Sequence, residues 1–146
     1  MRRVLWKVLA VAACWWALGA ALTVQAAEVT PAQAKQMRAV VQAQLAAFAA
    51  DDSKRAFSFA APAIRQMFVT PENFMTMVRT GYPVVYRPAS VSFLKPAIVD
   101  GHYIQGVQMT DADGGVWLAV YQLQQQKNKR WLIHGVHVVE SDARMT

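Results

Sequence analysis

The stretch Ala56–Pro88 reads AFSFAAPAIRQMFVTPENFMTMVRTGYPVVYRP, and its punctuation decides the fold. Pro62 stands where a helix starts, Thr70-Pro71 joins a capping hydroxyl to a proline at the first helical position, and Gly81 stands where a left-handed residue closes a helix. These signals predict helices over Pro62 to Phe68 and Pro71 to Gly81. A shorter helix before them carries Phe57, is capped from Asp51, Asp52 and Ser53, and ends before Pro62. Upstream, Thr30-Pro31 repeats the start signal. Met37, Val41, Leu45 and Phe48 then recur at spacings of four, four and three, which predicts one long helix from Pro31 to about Ala50.

From Tyr82 onward the period changes to two. Turn signals at Asp100-Gly101, Asp111 to Gly115 and Lys127 to Lys129 divide the rest into strands over Ala89 to Val99, His102 to Thr110, Val116 to Gln125 and Arg130 to Glu140. Val84 to Tyr86 reads as a short extra strand. Helices followed by an antiparallel meander make the α+β pattern of segregated elements. With symmetric turns, odd-numbered residues share the face toward the helices: Tyr103, Gln105, Val107 and Met109, then Trp117, Ala119, Tyr121 and Leu123, then Trp131, Ile133, Gly135, His137 and Val139. Gly135 then lies opposite Tyr121, and Gly135→Val is expected to overpack the core at about 1 to 3 kcal/mol. The even face carries Ile104, Val116, Leu118, Val120, Leu132, Val136 and Val138, more apolar than a solvated sheet face normally is. A second copy of the chain, in a two-fold dimer, is expected to cover it, since Ser141 to Thr146 is too short and too polar to fold back.

The first residues carry an address. Arg2 and Arg3 form a basic n-region, Val8 to Val24 is an uncharged apolar run, and the small residues Val24 and Ala26 place a signal-peptidase cut after Ala26. This leaves residues 1–26 as a signal peptide and 27–146 as one exported domain, periplasmic or secreted. Two rival readings attach to the same segment. Val11-Ala12-Ala13-Cys14 has the outline of a lipoprotein box, although Lys7 interrupts the residues before it and apolar residues continue after the cysteine. The apolar run also reaches the lower edge of a bilayer span, so an uncleaved anchor is the one route by which the chain meets a membrane.

Without Arg2, Arg3 and Lys7 the formal charge falls from +6 to +3, and the remaining cations are scattered. The one cluster, Lys127-Asn128-Lys129-Arg130, belongs to a turn, so a nucleic-acid partner is not expected. Cys14 is the only cysteine and leaves with the leader, so the domain has neither disulfide nor thiol nucleophile and is held by packing.

The chemical candidates are few. His134 and His137 have chelating spacing only on a helix; on a strand they point to opposite faces, so no metal is expected. Asp111-Ala112-Asp113-Gly114-Gly115 opens like a calcium loop but lacks its closing Glu, and a hairpin turn explains it. Glu72 and Asn73 fall in the first turn of a helix, where capping explains them. Two constellations remain. Tyr103, Gln105, Tyr121 and His137 on the odd face, with Tyr82, Tyr86 and Arg87 near the mouth, have the composition of a small-molecule pocket; a filled core is the competing reading. His137 with Asp51 or Asp52 is a possible base and its orienting carboxylate.

Four segments, QLAAFAADDSKRAFSFAAPAIRQMF, TPENFMTMVRTGYPVVYRP, VWLAVYQL and RWLIHGV, carry a resemblance over nearly all of the chain beyond the leader. The sequence resembles the bacterial domain-of-unknown-function family 4864, of the nuclear transport factor 2-like superfamily. The resemblance implies an α+β cone, in which a curved sheet wraps a long N-terminal helix and leaves a pocket at the open end. It implies sheet-to-sheet dimerisation too, and brings no catalytic residues or cofactor with it. Because the fold hosts enzymes, ligand binders and dimerisation modules alike, function has to be argued from the site. No Asp or Glu falls in the middle of an odd-face strand, which favours a noncatalytic module binding a small apolar or amphipathic ligand or a protein partner. The alternative is a proton-transfer lyase or isomerase built on His137.

Overall fold

The computed structural model describes residues 27–141. The leader 1–26, with its expected cleavage after Ala26 and its Cys14 alternative, lies outside the described residues, as does the tail from 142 onward. Among the described residues no helix is long and apolar enough to cross a membrane.

Helix α1, Pro31–Ala49, opens on a capping box: Gln33 N–H donates to Thr30 Oγ1 at 3.2 Å, and Thr30 N–H donates to Gln33 Oε1 at 3.0 Å. Met37, Val41, Gln44, Ala47 and Phe48 form its buried stripe, so Gln44 occupies a core position beside the half-buried Leu45. Helix α2, Ser53–Ser58, is capped by Asp52, whose carboxylate accepts from Arg55 N–H at 3.0 Å. Helix α3, Pro62–Phe68, buries none of its residues. Helix α4, Pro71–Gly81, starts from Thr70, whose hydroxyl accepts from Asn73 N–H at 3.1 Å.

Between α3 and α4 the chain makes a γ-turn at Val69, with φ 68°, ψ −48° and a hydrogen bond from Thr70 N–H to Phe68 O at 2.7 Å. That conformation is strained for a β-branched residue.

The expected left-handed stop at Gly81 is replaced by another device. Tyr82, at φ −135° and ψ 60°, ends α4 and begins a single helical turn, α5, Pro83–Tyr86. Proline at the first helical position favours that turn over the extra strand expected at Val84 to Tyr86, and it buries Val84 and Val85 together.

The strand expected over Ala89 to Val99 is two strands, β1 Ser90–Phe93 and β2 Ala97–Val99, both paired antiparallel to β3, His102–Thr110. Pro96 has no N–H to donate to a ladder, and Gln105 fills the break: its Nε2 donates to Leu94 O at 2.7 Å and Gly106 O at 2.9 Å. Strands β4, Val116–Gln125, and β5, Trp131–Glu140, complete an antiparallel sheet in the order β1-β3-β4-β5, with β2 beside β1 on β3. The fold is α+β: helices on one face of a bulged, curved five-stranded sheet.

On β3 and β4 the odd-numbered residues do face the helices, and Gln105, Val107, Met109, Ala119, Tyr121 and Leu123 are all buried there. On β5 the parity changes part of the way along. Leu123 opposes Ile133 but Gln122 opposes Gly135, so His134 is an extra residue and β5 is bulged. Trp131 and Ile133 point inward before the bulge. Beyond it Val136, opposite Tyr121, and Val138, opposite Ala119, point inward instead.

Three expectations are corrected by this one residue. His137 and Val139 belong to the outer face; Val136 and Val138 leave it; and Gly135 opposes Gln122, with no heavy atom within 4 Å of a Cβ built on it, so Gly135→Val does not overpack the core. The apolar outer face is therefore Ile104, Val116, Leu118, Val120 and Val139, while Leu132 is buried.

Candidate functional site

The bulge also shapes a cavity. Ile133 N–H donates to Phe59 O and Ala61 N–H donates to Ile133 O, both at 2.8 Å, which ties β5 to the segment before α3. Just past that tie the bulge interrupts the ladder. There α3, which buries nothing, and α4 stand over the strand and leave a cavity of about 620 Å³. Phe48, Ile64, Phe68, Phe74, Met77, Val78 and Val85 make most of its wall, Met67 marks its mouth at 74 % exposure, and Ile133 to Val136 form the strand side. Phe74 is the centre of the aromatic part, with the rings of Phe57, Phe68 and Phe48 at 5.5, 5.7 and 6.0 Å.

Among the described residues four polar side chains line this cavity, and no Asp, Glu, Lys or Arg does. Gln44 donates through Nε2 to Ala56 O at 3.2 Å, and Thr80 donates to Thr76 O at 2.9 Å. Tyr82 lies at the cavity end shared with a neighbouring cleft. His134 differs from the others: its Nδ1 is buried, with no hydrogen-bond partner among the described residues. A buried unpaired polar atom costs about 1 to 3 kcal/mol, so its presence needs a reason.

The neighbouring cleft, about 580 Å³, runs beneath α5 past Tyr86, Arg87, Asp111, Trp117 and Val138. Asp111 holds the β3–β4 turn: its carboxylate accepts from Gly115 N–H at 2.8 Å, Asp113 N–H at 2.9 Å and Trp117 Nε1 at 2.8 Å. The indole N–H and then the Gly115 amide hold its carboxyl below the usual carboxylate range. Gly115 has no room for a side chain, because a Cβ would sit 2.5 Å from Asp111 Oδ2. The calcium-like run is thus a self-capped hairpin turn.

The other sequence candidates scatter. Tyr86 and Arg87 do meet a carboxylate, that of Asp51, which sits at φ 53° after α1. Asp51 accepts from the Tyr86 hydroxyl, from Arg79 at 3.1 Å and from Arg87 at 2.9 Å, with both guanidiniums over the Tyr86 ring. Those bonds, the one from Tyr86 first and that from Arg79 next, lower the carboxyl's pKa. Asp52 is the α2 cap. Neither carboxylate hydrogen-bonds to His137, which is exposed on the outer face, so the proposed base and orienter do not assemble.

Tyr103 packs edge-on against Trp131 at 4.8 Å, and its hydroxyl accepts from Gln33 at 3.4 Å. Gln105 serves the β1–β2 break, and Tyr121 is wholly buried and lines neither cavity. The odd face of the sheet is filled core, and the open space lies past its bulged edge. Gln44 is a cavity residue the sequence reading missed, and His134, weighed there only as a metal candidate with His137, lines the cavity as well. An isolated glycine inside a strand pattern signals a bulge, and Gly135 is that glycine.

Residues 30–146 match the family described as domain of unknown function 4864, and the chain belongs to that family. No curated protein matches it, and no solved structure does.

Proposed function

We propose that the domain is a noncatalytic binding module whose apolar cavity, between α3, α4 and the bulge of β5, takes a small apolar or amphipathic ligand. The observation that carries this reading is the cavity itself: about 620 Å³, walled by apolar and aromatic side chains with only Gln44, Thr80, Tyr82 and His134 as polar members among the described residues. Few oriented polar groups in a mostly apolar pocket is the composition of a small-molecule site. The alternative, a proton-transfer enzyme, would want a carboxylate beside its base, and among the described residues no carboxylate lines the cavity that holds His134.

The test uses the neutral probe N-phenyl-1-naphthylamine, whose fluorescence rises in apolar surroundings. The wild-type domain is expected to bind it, and Val136→Phe, which adds bulk to the cavity wall, to weaken binding at least about tenfold while the far-ultraviolet circular dichroism stays native. Native mass spectrometry of protein from its natural compartment gives the second readout, a copurified small molecule lost from the variant. Equal probe binding by both proteins removes this cavity as the site.

The surrounding context is read in the same way. A long α1 lying against a bulged, curved antiparallel sheet is what the nuclear transport factor 2-like cone requires, and we take the fold to be of that type. For the outer face the partner is a second copy. No Lys, Arg, Asp or Glu falls on the outward positions of β3, β4 and β5, and an uncharged apolar patch can meet its own image across a two-fold axis without like-charge repulsion. Export to the periplasm or beyond, with cleavage after Ala26, accounts for the basic and apolar leader, and the family match begins just after it. Intact mass of the native protein decides the cleavage.

A further inference from the structure

The tip between α3 and α4 breaks two local rules at one residue. Val69 holds φ 68° and ψ −48°, a conformation that glycine takes without steric cost and a β-branched residue does not, and its side chain is 74 % exposed. Met67, two residues earlier, is exposed to the same extent. Strain and apolar exposure together, with no burial gained in return, mark a surface kept for contact outside the described residues. The tip is also the rim of the larger cavity, whose wall includes Ile64, Met67 and Phe68 of α3.

We propose that Met67 and Val69 dip into a lipid surface and that the cavity exchanges its ligand there, a route to a membrane that does not involve the leader. The docking stands on the tip itself; the exchange rests on the reading of the cavity as a ligand site. Lipid fits both. Among the described residues no charged side chain lines the cavity, so its occupant is a molecule that water holds poorly and hydrocarbon holds well. Such a molecule reaches the mouth most directly from a bilayer. Two exposed apolar side chains are too little for a specific protein contact, which takes about 800 Å² from each partner, whereas a brief, reversible insertion needs no more than a few. Arg65 and Glu72 are the charged residues from Pro62 to Val78, and their charges cancel, so the apolar contact carries the docking and salt leaves it standing.

Flotation with phosphatidylcholine vesicles, which carry no net charge, tests the docking at millimolar lipid and about 0.5 M NaCl, where exposed charges are screened. The wild type is expected to float. Val69→Gly keeps the turn and removes the side chain, and Met67→Gln keeps the helix. The double variant is expected to float at least about tenfold less, with native far-ultraviolet circular dichroism. A variant that floats as well as wild type, or flotation seen only at low salt, overturns the docking. A wild type that stays in the soluble fraction overturns it too, and assigns the tip to a protein partner. The exchange is tested by mixing protein loaded with N-phenyl-1-naphthylamine with vesicles that carry a quencher lipid. Loss of fluorescence is expected to quicken in proportion to vesicle concentration in the wild type and to be independent of it in Val69→Gly, a position outside the cavity wall. A wild-type rate independent of vesicle concentration overturns exchange by contact. Failure of the wild type to bind the naphthylamine probe removes the cavity reading and the exchange with it, and flotation still decides the docking.

Discussion

His134 and Tyr121 carry the same defect in different surroundings. Each has a buried polar atom with no partner among the described residues, the imidazole Nδ1 in one and the hydroxyl in the other. Burial also pushes the Tyr121 hydroxyl to stay protonated well beyond its ordinary range. Removing either atom should relieve the same penalty, so His134→Leu and Tyr121→Phe are each expected to raise stability by about 1 to 2 kcal/mol in urea unfolding. They part in binding. Tyr121 is 0 % exposed and lines neither cavity, so its substitution leaves probe affinity alone, whereas His134 lines the larger one and its substitution is expected to change probe affinity. Destabilisation by Tyr121→Phe would mean that its hydroxyl has a partner after all. What sequence could supply differs between the two. Tyr121 follows from alternation along β4, whereas the place of His134 depends on an irregularity that alternation rules do not produce.

At the scale of elements, caps and proline starts were the most readable part of the chain. Thr30, Asp52 and Thr70 cap the helices expected of them, because each bond is made within three residues of sequence. The misread elements all hang on longer-range choices. Pro83 could have opened a strand or a turn until Val84 and Val85 found a core, and the β1–β2 break depends on Gln105 arriving from the neighbouring strand.

The Asp51 cluster is of the same long-range kind: it joins the end of α1 to α4 and α5 through Arg79, Tyr86 and Arg87. Because folding lowers the Asp51 pKa, its charged form is favoured in the native state. The stabilisation is complete above the unfolded-state value and disappears as pH falls through the lower folded-state value, that is, from roughly pH 4 downward. Asp111 adds to the same acid limb. Stability measured from pH 7 to pH 2 should therefore fall less steeply for Asp51→Asn than for wild type, by a small amount because the group is solvent-screened. An unchanged acid limb would show that the cluster is not held in solution.

Among the described residues, one face of the sheet is occupied by helices and the other carries half-exposed aliphatic side chains among uncharged polar ones. Val139, 39 % exposed, joins Ile104, Leu118 and Val120 on it. Leu118→Glu, which sets a charge in the middle strand of that face, is expected to turn a dimer into a monomer in sedimentation velocity at micromolar protein, with the thermal transition still cooperative. A wild-type monomer under those conditions would return the face to solvent and end the dimer proposal. The bulge matters here as well, since it replaces Val136 and Val138 on the outer face with His137 and Val139 and makes the patch less greasy than alternation suggests.

The two sheet borders bear on how this protein behaves when crowded or partly unfolded. At one border Ile133 has both backbone groups engaged by Phe59 and Ala61, with α3 following directly. At the other, the outermost strand is cut into two short pieces by Leu94, Lys95 and Pro96, leaving no long straight run of free amides and carbonyls to template another chain. Growth strand by strand, the route to fibrils, is hindered where the outermost strand is split and at the start of β5, where Ile133 is engaged. In the proposed dimer two molecules would satisfy one another across the outer sheet face and stop, so apolar surface would be stored for a partner without inviting an endless stack.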